Sequence, residues 1–365
     1  MPEGSEQTRD IAELSHQGYQ LLRDGSYDDA VKRFESILGL EPDNSYALVG
    51  MGDIARKRGK HNDAAGYYQR CLEHDPDNAF ALFGLADSYR SLRKYHDALA
   101  IWERYLVHDD ENVTVLTRVA DAYRKVRRKR RSRELYERVL ELEPDNPYAL
   151  VGLGHLHYDF REYEEALSSW QRMHELSGAS VDIRVLTSIG NCHRKLRRYR
   201  AGIPFFEQAL EREPDNFYAL FGLADCYRGL NDPAQSLVYW NRILGKDPQN
   251  RVILTRAGDA HRTMGELDEA EGCYRAALAI GDDLYANLGL AIVARMRGDR
   301  EGAFEMLNEL KRREPDNHRV YAELAATHAR AGSPEQAVRV LTEYRAGGRT
   351  NAHIDELIDR YRGQS

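Results

Sequence analysis

The stretch DPDNAFALFGLADSYRSLRKYHDALAIWERYLVHDDEN, residues 75–112, decides the fold because it holds one complete unit of an internal repeat. It opens on the tripeptide PDN at Pro76 and closes on the related DEN at Asp110, 34 residues further on. Between them lie two segments whose apolar side chains recur at helical spacing, each with a small residue, Ala86 or Ala98, near its middle. The unit therefore predicts two amphipathic helices that pack closely together.

The same signal recurs along the chain. It is PDN at Pro42, Pro76, Pro144, Pro214 and Pro315, PQN at Pro248 and DEN at Asp110. Four of the intervals are 34 residues, whereas the 70 residues from 144 to 214 and the 67 from 248 to 315 are two repeats plus two and minus one. A 34-residue helix-turn-helix unit closed by proline resembles the tetratricopeptide repeat family. The resemblance extends over residues 11–351 as ten repeats, and positions are counted here from the first residue of each first helix.

The resemblance implies an all-α fold: a right-handed superhelical α-solenoid of tandem tetratricopeptide helix-turn-helix repeats with a C-terminal capping helix. We expect a disordered N-terminal tail at residues 1–10, repeats 1–5 at residues 11–180, repeats 6–10 at residues 181–351, and the capping helix with its tail at residues 352–365. The last segment supports the cap because four apolar side chains share one helical face: Ile354, Leu357, Ile358 and Tyr361.

The join between repeats 5 and 6 lacks the usual stop. Residues 177–180, SGAS, replace the acidic-Pro-Asp-Asn pattern, and two extra residues, Val181 and Asp182, follow. Because the proline is missing and Gly178 adds conformational freedom, the sequence predicts that this join is the weakest or most bent point of the array.

A second period of two repeats overlies the first. Tryptophan occupies position 24 in repeats 3, 5 and 7, while repeats 4, 6 and 8 carry a smaller ring there; the residues are Trp102, Trp170 and Trp240, then Tyr136, Phe206 and Tyr274. The duplicated unit is therefore a pair of repeats. Two interpretations stay open: the alternation reflects ancestry alone, or it presents a site in every second repeat.

Composition excludes several classes of protein. The 365 residues are 42% hydrophobic, with a net charge of -7 from 52 basic and 59 acidic residues. There is no window of about 18 apolar residues and no apolar leader, so we expect no membrane insertion and a cytoplasmic location, with a processed periplasmic chain left open. Cys71, Cys192, Cys226 and Cys273 form no CxxC pair, which favours reduced thiols over a disulfide framework or a zinc site.

No pattern typical of an enzyme is present. His155 and His157 lie two residues apart on a helix, so they point to different sides and cannot share one metal ion. The sequence contains no phosphate-binding loop, nucleophile elbow, HExxH motif or dinucleotide fingerprint. We therefore predict no catalytic, cofactor-binding or metal-ligating residues and no enzymatic activity.

Partner binding is expected on the first helices. In tetratricopeptide proteins positions 2, 5, 9, 12 and 13 line a concave groove, and here six repeats carry an acid or amide at position 9 and Arg at position 12. The predicted partner-binding groove is Tyr46, Asp53, Arg56, Phe80, Phe83, Asp87, Arg90, Asp121, Arg124, Tyr148, Tyr158, Asn191, Arg194, Tyr218, Phe221, Asp225, Arg228, Asp259 and Arg262. Either the charges satisfy each other as a structural ladder, or they pair with an extended peptide between the rings.

Charge is also sorted between the two kinds of turn. Lys and Arg dominate the turn inside repeats 2–6, while Asp and Glu dominate the turn between repeats, which predicts one basic and one acidic edge. The strongest basic stretch is Arg127, Arg128, Lys129, Arg130, Arg131, Arg197 and Arg198. It is solvated surface, a nucleic-acid site, or a contact for a complementary protein edge such as a second copy; a sequence pI near 6.0 argues against a general polyanion binder.

These observations predict a protein-binding scaffold or adaptor that recognises a partner protein or extended peptide in the groove and assembles a multiprotein complex. The alternative is an electrostatic adaptor that binds nucleic acid or an acidic surface through the basic edge. We expect protein or peptide partners rather than nucleic acid, no cofactor, and leave self-association open.

Overall fold

The computed structural model describes residues 3–363, and every regular element in that range is helical. The chain divides into two compact units, with the boundary between Val181 and Asp182. The N-terminal unit contains α1 Glu3–Arg23, α2 Tyr27–Leu40, α3 Ser45–Lys57, α4 His61–His74, α5 Ala79–Ser91, α6 Tyr95–Leu106, α7 Val113–Lys125, α8 Lys129–Leu142, α9 Pro147–Asp159, α10 Tyr163–Ser177 and a 3₁₀ turn Gly178–Ser180. The C-terminal unit contains α11 Ile183–Lys195, α12 Tyr199–Arg212, α13 Phe217–Gly229, α14 Pro233–Lys246, α15 Arg251–Met264, α16 Leu267–Ile280, α17 Leu284–Met296, α18 Arg300–Arg313, α19 His318–Arg330, α20 Pro334–Ala346 and α21 Ala352–Arg362.

Within each unit the two helices of a repeat pack on each other and on the next repeat, so the predicted all-α solenoid of helix-turn-helix repeats is confirmed. The predicted capping helix is α21, and its four predicted apolar side chains are buried against the last repeat. Helix α1 begins at Glu3, and residues 3–10 contain no proline that would interrupt it. The disorder of residues 1–10 stays a prediction. Met1 and Pro2 lie outside the described residues.

The acidic-Pro-Asp-Asn pattern ends one helix and starts the next by a fixed set of hydrogen bonds. Asn78 caps α5, because its Oδ1 accepts from the backbone N–H of Ala81 at 3.0 Å. Its Nδ2 donates to the Asp75 carboxylate at 2.9 Å, which explains the acid before the proline. The same pair of bonds recurs at Asn44, Asn112, Asn146, Asn216 and Asn250.

An arginine on the second helix of several repeats fastens the turn that precedes the repeat. Arg70 donates to the carbonyl oxygen of Pro42 at 3.0 Å, and Arg104 donates to that of Pro76 at 2.6 Å. Arg172 and Arg242 bond to the equivalent proline carbonyls. These carbonyls cannot join an intrahelical ladder, so the arginine supplies the partner that they would otherwise lack.

The core of each unit is a column of rings held between first helices. Tyr68, at position 24 of repeat 2, is fully buried between Gly52 of its own repeat and Gly84 of the next. A Cβ atom at Gly84 would lie 2.3 Å from the ring, so only glycine permits this approach. Phe34 and Phe206 occupy the same kind of slot, bounded by glycines at position 8 and at position 6 of the following repeat.

The repeats that carry tryptophan use a different neighbour. Arg118, not glycine, stands at position 6 after Trp102, and Arg256 stands there after Trp240, with its guanidinium 5.8 Å from the centre of an indole ring. Two kinds of interface thus occur, a smaller ring against glycine and tryptophan beside arginine, while Ser188 stands at position 6 after Trp170. The two-repeat period has a physical basis in packing, whatever its ancestry.

The turn inside each repeat contains one residue in the left-handed conformation. Glycine fills this position in repeats 1, 2, 8, 9 and 10, as expected for a positive φ. Repeats 3–6 instead place arginine there, at Arg93, Arg127, Arg161 and Arg197, with φ between 59° and 64°. Because a side chain in this conformation costs about 1–2 kcal/mol, two residues of the basic stretch, Arg127 and Arg197, lie on locally unfavourable backbone.

Candidate partner-binding face

Positions 2, 5, 9 and 12 of a first helix lie on one side of it because of the helical period, and this side is called the first-helix face. Four rings at position 2 of this face are largely exposed. The exposed fractions are 69% for Tyr46, 77% for Phe80, 76% for Tyr148 and 69% for Tyr218. Since the core takes its rings from position 24, packing does not require these four side chains.

The other three predicted aromatic residues belong to the packing instead. Phe83 lies under the guanidinium of Arg118, 4.9 Å from the ring centre. Phe221 packs edge-on against Trp240 at 5.2 Å between ring centroids, and Tyr158 lies 5.9 Å from the ring of Trp170. These half-buried rings lie beneath neighbouring side chains of the first-helix face and offer less surface to a partner.

The predicted Asp/Arg pairs form a ladder of ion pairs in the N-terminal unit. Arg56 donates to Asp53 of its own repeat at 3.1 Å and to Asp87 of the next at 3.3 Å. Arg90 donates to Asp87 at 3.0 Å, and Arg118 bonds to the same carboxylate. The buried Asp87 thus accepts from arginines of three successive repeats.

Helix α7 continues the pattern with two partners on one arginine. Arg124 lies 2.7 Å from Asp121 of its own helix and 2.6 Å from Asp159 of the next first helix. The ladder also reaches the core rings, because the hydroxyl of Tyr68 donates to Asp53 at 2.8 Å. Burial and the neighbouring carboxylate raise the pKa of that tyrosine.

A second ladder runs through the C-terminal unit. Arg194 donates to Asn191 at 3.1 Å and to Asp225 at 2.6 Å, and Arg228 donates to Asp225 at 2.7 Å. In the next repeat, Arg262 pairs with Asp259 at 3.2 Å, and the hydroxyl of Tyr274 donates to the same carboxylate at 2.8 Å.

The electrostatics of the two buried carboxylates follow from these contacts. Burial acts to raise the pKa of Asp87, but Arg118 and Arg90 outweigh it, and the pKa is lowered from its ordinary value. The pKa of Asp225 is also lowered, because Arg228 and Arg194 outweigh the same effect of burial. Both groups therefore stay ionised at neutral pH.

In the chain by itself, the carboxylates of Asp87 and Asp225 are each paired with arginines of the first-helix face. Recruitment of these arginines by a peptide stays a prediction. Arg118 and Arg256, both at position 6, were not predicted; Arg118 bonds to Asp87, and Arg256 lies 3.7 Å from Asp225. The sequence did contain a signal for these two arginines, because they stand at a position where most other repeats carry glycine.

The basic edge is partly neutralised by nearby acids. Lys129 pairs with Glu162, and the exposed Arg130 and Arg131 share Glu134 at 2.8 and 3.0 Å. Arg127 lies over the ring of Phe160 at 5.3 Å. Arg128, Arg197 and Arg198 are exposed as well. Binding of nucleic acid, an acidic surface or a second copy at this edge stays a prediction.

The two histidines singled out in the sequence have structural neighbours. His157 contacts Glu162 at 2.9 Å, while His155 packs edge-on against Trp170 at 5.4 Å, and burial lowers the pKa of His155. Across residues 3–363 no group of three His, Cys, Asp or Glu side chains is placed to hold a metal ion. Within that same range no helix is both long and apolar enough to cross a membrane.

Comparison with known protein families adds an independent observation. The tetratricopeptide repeat matches residues 17–79, 49–113, 117–180, 188–251 and 255–318, which together span most of the sequence. The chain belongs to the tetratricopeptide repeat family. Members of this family are in general protein-interaction scaffolds without enzymatic activity. No curated protein matches the chain.

Solved structures of other tetratricopeptide proteins are similar to parts or all of the chain. A MamA protein is 21% identical, with 48% of this chain and 94% of that chain covered at a TM-score of 0.43. YrrB, described as a protein with an unusual peptide-binding site, is 18% identical, with 51% and 95% covered at 0.45. Yeast Tom70 is 14% identical, with 98% and 96% covered at 0.44.

Proposed function

We propose that this tetratricopeptide protein is a scaffold that binds extended segments of partner proteins on the first-helix face. The observation that carries the proposal is the set of exposed rings at position 2: Tyr46, Phe80, Tyr148 and Tyr218. Aromatic side chains that stay exposed supply contact area at low entropic cost and are enriched among the residues that dominate binding.

The charged residues of the ion-pair ladder contribute to binding in a different way from the rings. Asp87 and Asp225 are buried and already paired, so a partner gains little by competing for them. Arg90 and Arg228 are the more exposed arginines, with 37% and 52% of their side chains accessible. These two can share a hydrogen bond with a peptide backbone while remaining paired, which fixes the register of a segment whose affinity comes from the rings.

Both compact units carry such rings, three in the first and Tyr218 in the second. We propose that one chain therefore engages more than one segment and in this way assembles a multiprotein complex.

The test compares partner capture by two variants. The first replaces Tyr46, Phe80 and Tyr148 with Ala; the control replaces Val107, which is 82% exposed at the end of α6 and off the first-helix face. Purified protein captures partners from the native host, mass spectrometry identifies them, and binding is then measured with each partner purified.

The triple variant is expected to lose the partners that bind the N-terminal unit, with each truncation costing about 1–2 kcal/mol of binding free energy, and to keep those that bind the C-terminal unit. Its stability should change little because the rings are exposed. The control is expected to bind as the native chain does. Equal affinity of the triple variant and the native chain for every purified partner would refute the proposal.

A further inference from the structure

Each unit contains one cluster built around a buried aspartate and a position-6 arginine, and the two clusters are copies of each other. The Asp87 cluster consists of Asp53, Arg56, Asp87, Arg90, Arg118, Asp121, Arg124 and Asp159. The residues at the same repeat positions in the other unit form the Asp225 cluster, which consists of Asn191, Arg194, Asp225, Arg228, Arg256, Asp259, Arg262 and Met296.

The two clusters differ in charge. In the Asp87 cluster four arginines face four aspartates, so it is neutral. In the Asp225 cluster two of the acids are absent, because Asn191 replaces Asp53 and Met296 replaces Asp159. Four arginines there face two aspartates, which leaves an excess of two positive charges. The neighbouring Arg295 does not alter this excess, since it is paired with Glu323 at 3.0 Å.

Arg256 is the arginine whose ion pairing is weakened by the two missing acids. Its counterpart Arg118 bonds to Asp87, but the nearest carboxylate oxygen to Arg256 is that of Asp225, 3.7 Å away. Its Nε atom is buried without a hydrogen-bond partner among the described residues, as is that of Arg56 in the Asp87 cluster, so the longer ion-pair distance is what distinguishes Arg256, whose side chain is 32% accessible. Burial also lowers the pKa of Arg256, whereas Asp225 acts to raise it. This guanidinium therefore lacks part of its compensation.

A cavity of about 200 Å³ lies beside this arginine within the C-terminal unit. Arg228, Arg256 and Arg262 line it together with Asp259, Asn231 and Thr263. The single acid in this lining is already bonded to Arg262 and Tyr274. We propose that the cavity is a binding site for an oxyanion with two negative charges, such as a phosphate monoester.

The chemistry of the lining favours phosphate over carboxylate. A phosphate monoester carries about 1.5–2 negative charges at neutral pH and offers three acceptor oxygens, which matches the excess charge and the three arginines that line the cavity. A carboxylate carries one charge and would leave the cluster positive. Arginine is also suited to this contact, since its planar fork bonds to two oxygens at once. A free phosphate and a phosphorylated serine present the same group to the cavity.

The experiment measures binding by isothermal titration calorimetry in low salt, with the full chain and phenyl phosphate as the probe. Acetate at the same ionic strength is the singly charged comparison. Arg256→Gln is expected to weaken phenyl phosphate binding about tenfold or more, while Arg118→Gln, the matched change in the neutral cluster, leaves it unchanged. The double variant Asn191→Asp with Met296→Asp restores charge balance and should abolish binding. Circular dichroism confirms that each variant is folded.

Two further arms separate the sources of the group. Inorganic phosphate stands for the free anion; a phosphoserine peptide and its unphosphorylated form stand for a protein partner. Tighter binding of the phosphopeptide than of inorganic phosphate assigns the site to a phosphorylated partner, and the reverse order assigns it to the free anion. Equal phenyl phosphate binding by native chain and Arg256→Gln, equal losses in Arg256→Gln and Arg118→Gln, or no binding by the native chain overturns the proposal. The aromatic triple variant should bind phenyl phosphate normally, so this result is independent of the proposed scaffold function.

Discussion

Replacing Asp87 with Asn tests whether the ion-pair ladder stabilises the N-terminal unit. The carboxylate is 5% exposed and accepts hydrogen bonds from Arg56, Arg90 and Arg118. The amide keeps the shape but removes the charge, so three guanidiniums lose their shared partner. Breaking a buried ion pair on one side costs about 3–5 kcal/mol because uncompensated charge is left behind. We expect the free energy of unfolding to fall by an amount near the lower end of this range, since the three arginines remain partly accessible and Arg56 still pairs with Asp53.

The lowered pKa of Asp87 also predicts how the stability difference between the native chain and Asp87→Asn changes with pH. Because the pKa of Asp87 is lowered in the folded chain, its contribution to stability is fully present above the unfolded pKa of about 3.9. The contribution is lost as pH falls through the lower, folded pKa, where the carboxylate becomes protonated. The difference in stability between the native chain and Asp87→Asn should therefore be constant from neutral pH to about pH 5 and shrink below about pH 4.

The assay is urea unfolding followed by circular dichroism, with the two proteins compared at each pH. The control is Asp43→Asn, because Asp43 is half exposed and its contacts, His74 at 3.3 Å and Arg70 at 3.9 Å, are surface contacts worth about 0–1 kcal/mol. If Asp87→Asn destabilised the chain no more than Asp43→Asn does at pH 7, the ladder would be a surface feature and the reasoning from burial would be wrong.

Three further predictions concern packing and backbone. Gly84→Ala should lower the free energy of unfolding by about 1–3 kcal/mol through overpacking, whereas Gly66→Ala, with open space at its Cβ, should raise it by about 0.5–1 kcal/mol; urea unfolding distinguishes them. Arg93→Gly should raise it by about 0.5–1 kcal/mol because glycine relieves the positive φ, and an unchanged or lower value would argue against strain. Amide hydrogen exchange should be faster in residues 177–180 than in the turn at residues 143–146, and equal protection would contradict the predicted weak join.

Much of the fold could be predicted because its determinants are local and recur. The 34-residue period and the proline stop recur along the chain, and small residues such as Ala86 and Ala98 indicate the close approach of two helices that each repeat requires. The start of α1 was less predictable, since no stop signal or cap marks it. The left-handed backbone conformation of the arginines could not be predicted either, because in the sequence Arg127 looks like any exposed basic residue.

The candidate site was predictable as a set of residues and not as a network. Arg56 was paired with Asp53 from their spacing, but its second bond reaches Asp87, 31 residues away, and depends on how two repeats dock. The difference in exposure between Phe80 and Phe83 also depends on residues that are distant in sequence. Both are predicted groove rings three residues apart, yet the second is covered by Arg118 from the following repeat.

The alternation of interfaces limits how such an array can change its length during evolution. Removing repeat 4 alone would bring the surface after Trp102, which is matched to Arg118, against Gly152, which is matched to the smaller ring of Tyr136. Removing repeats 3 and 4 together would instead leave Tyr68 facing Gly152, a pairing of the kind that it already makes with Gly84. In this part of the array two repeats can therefore be removed together with matched packing surfaces, so the number of exposed positions on its first-helix face changes in steps of two.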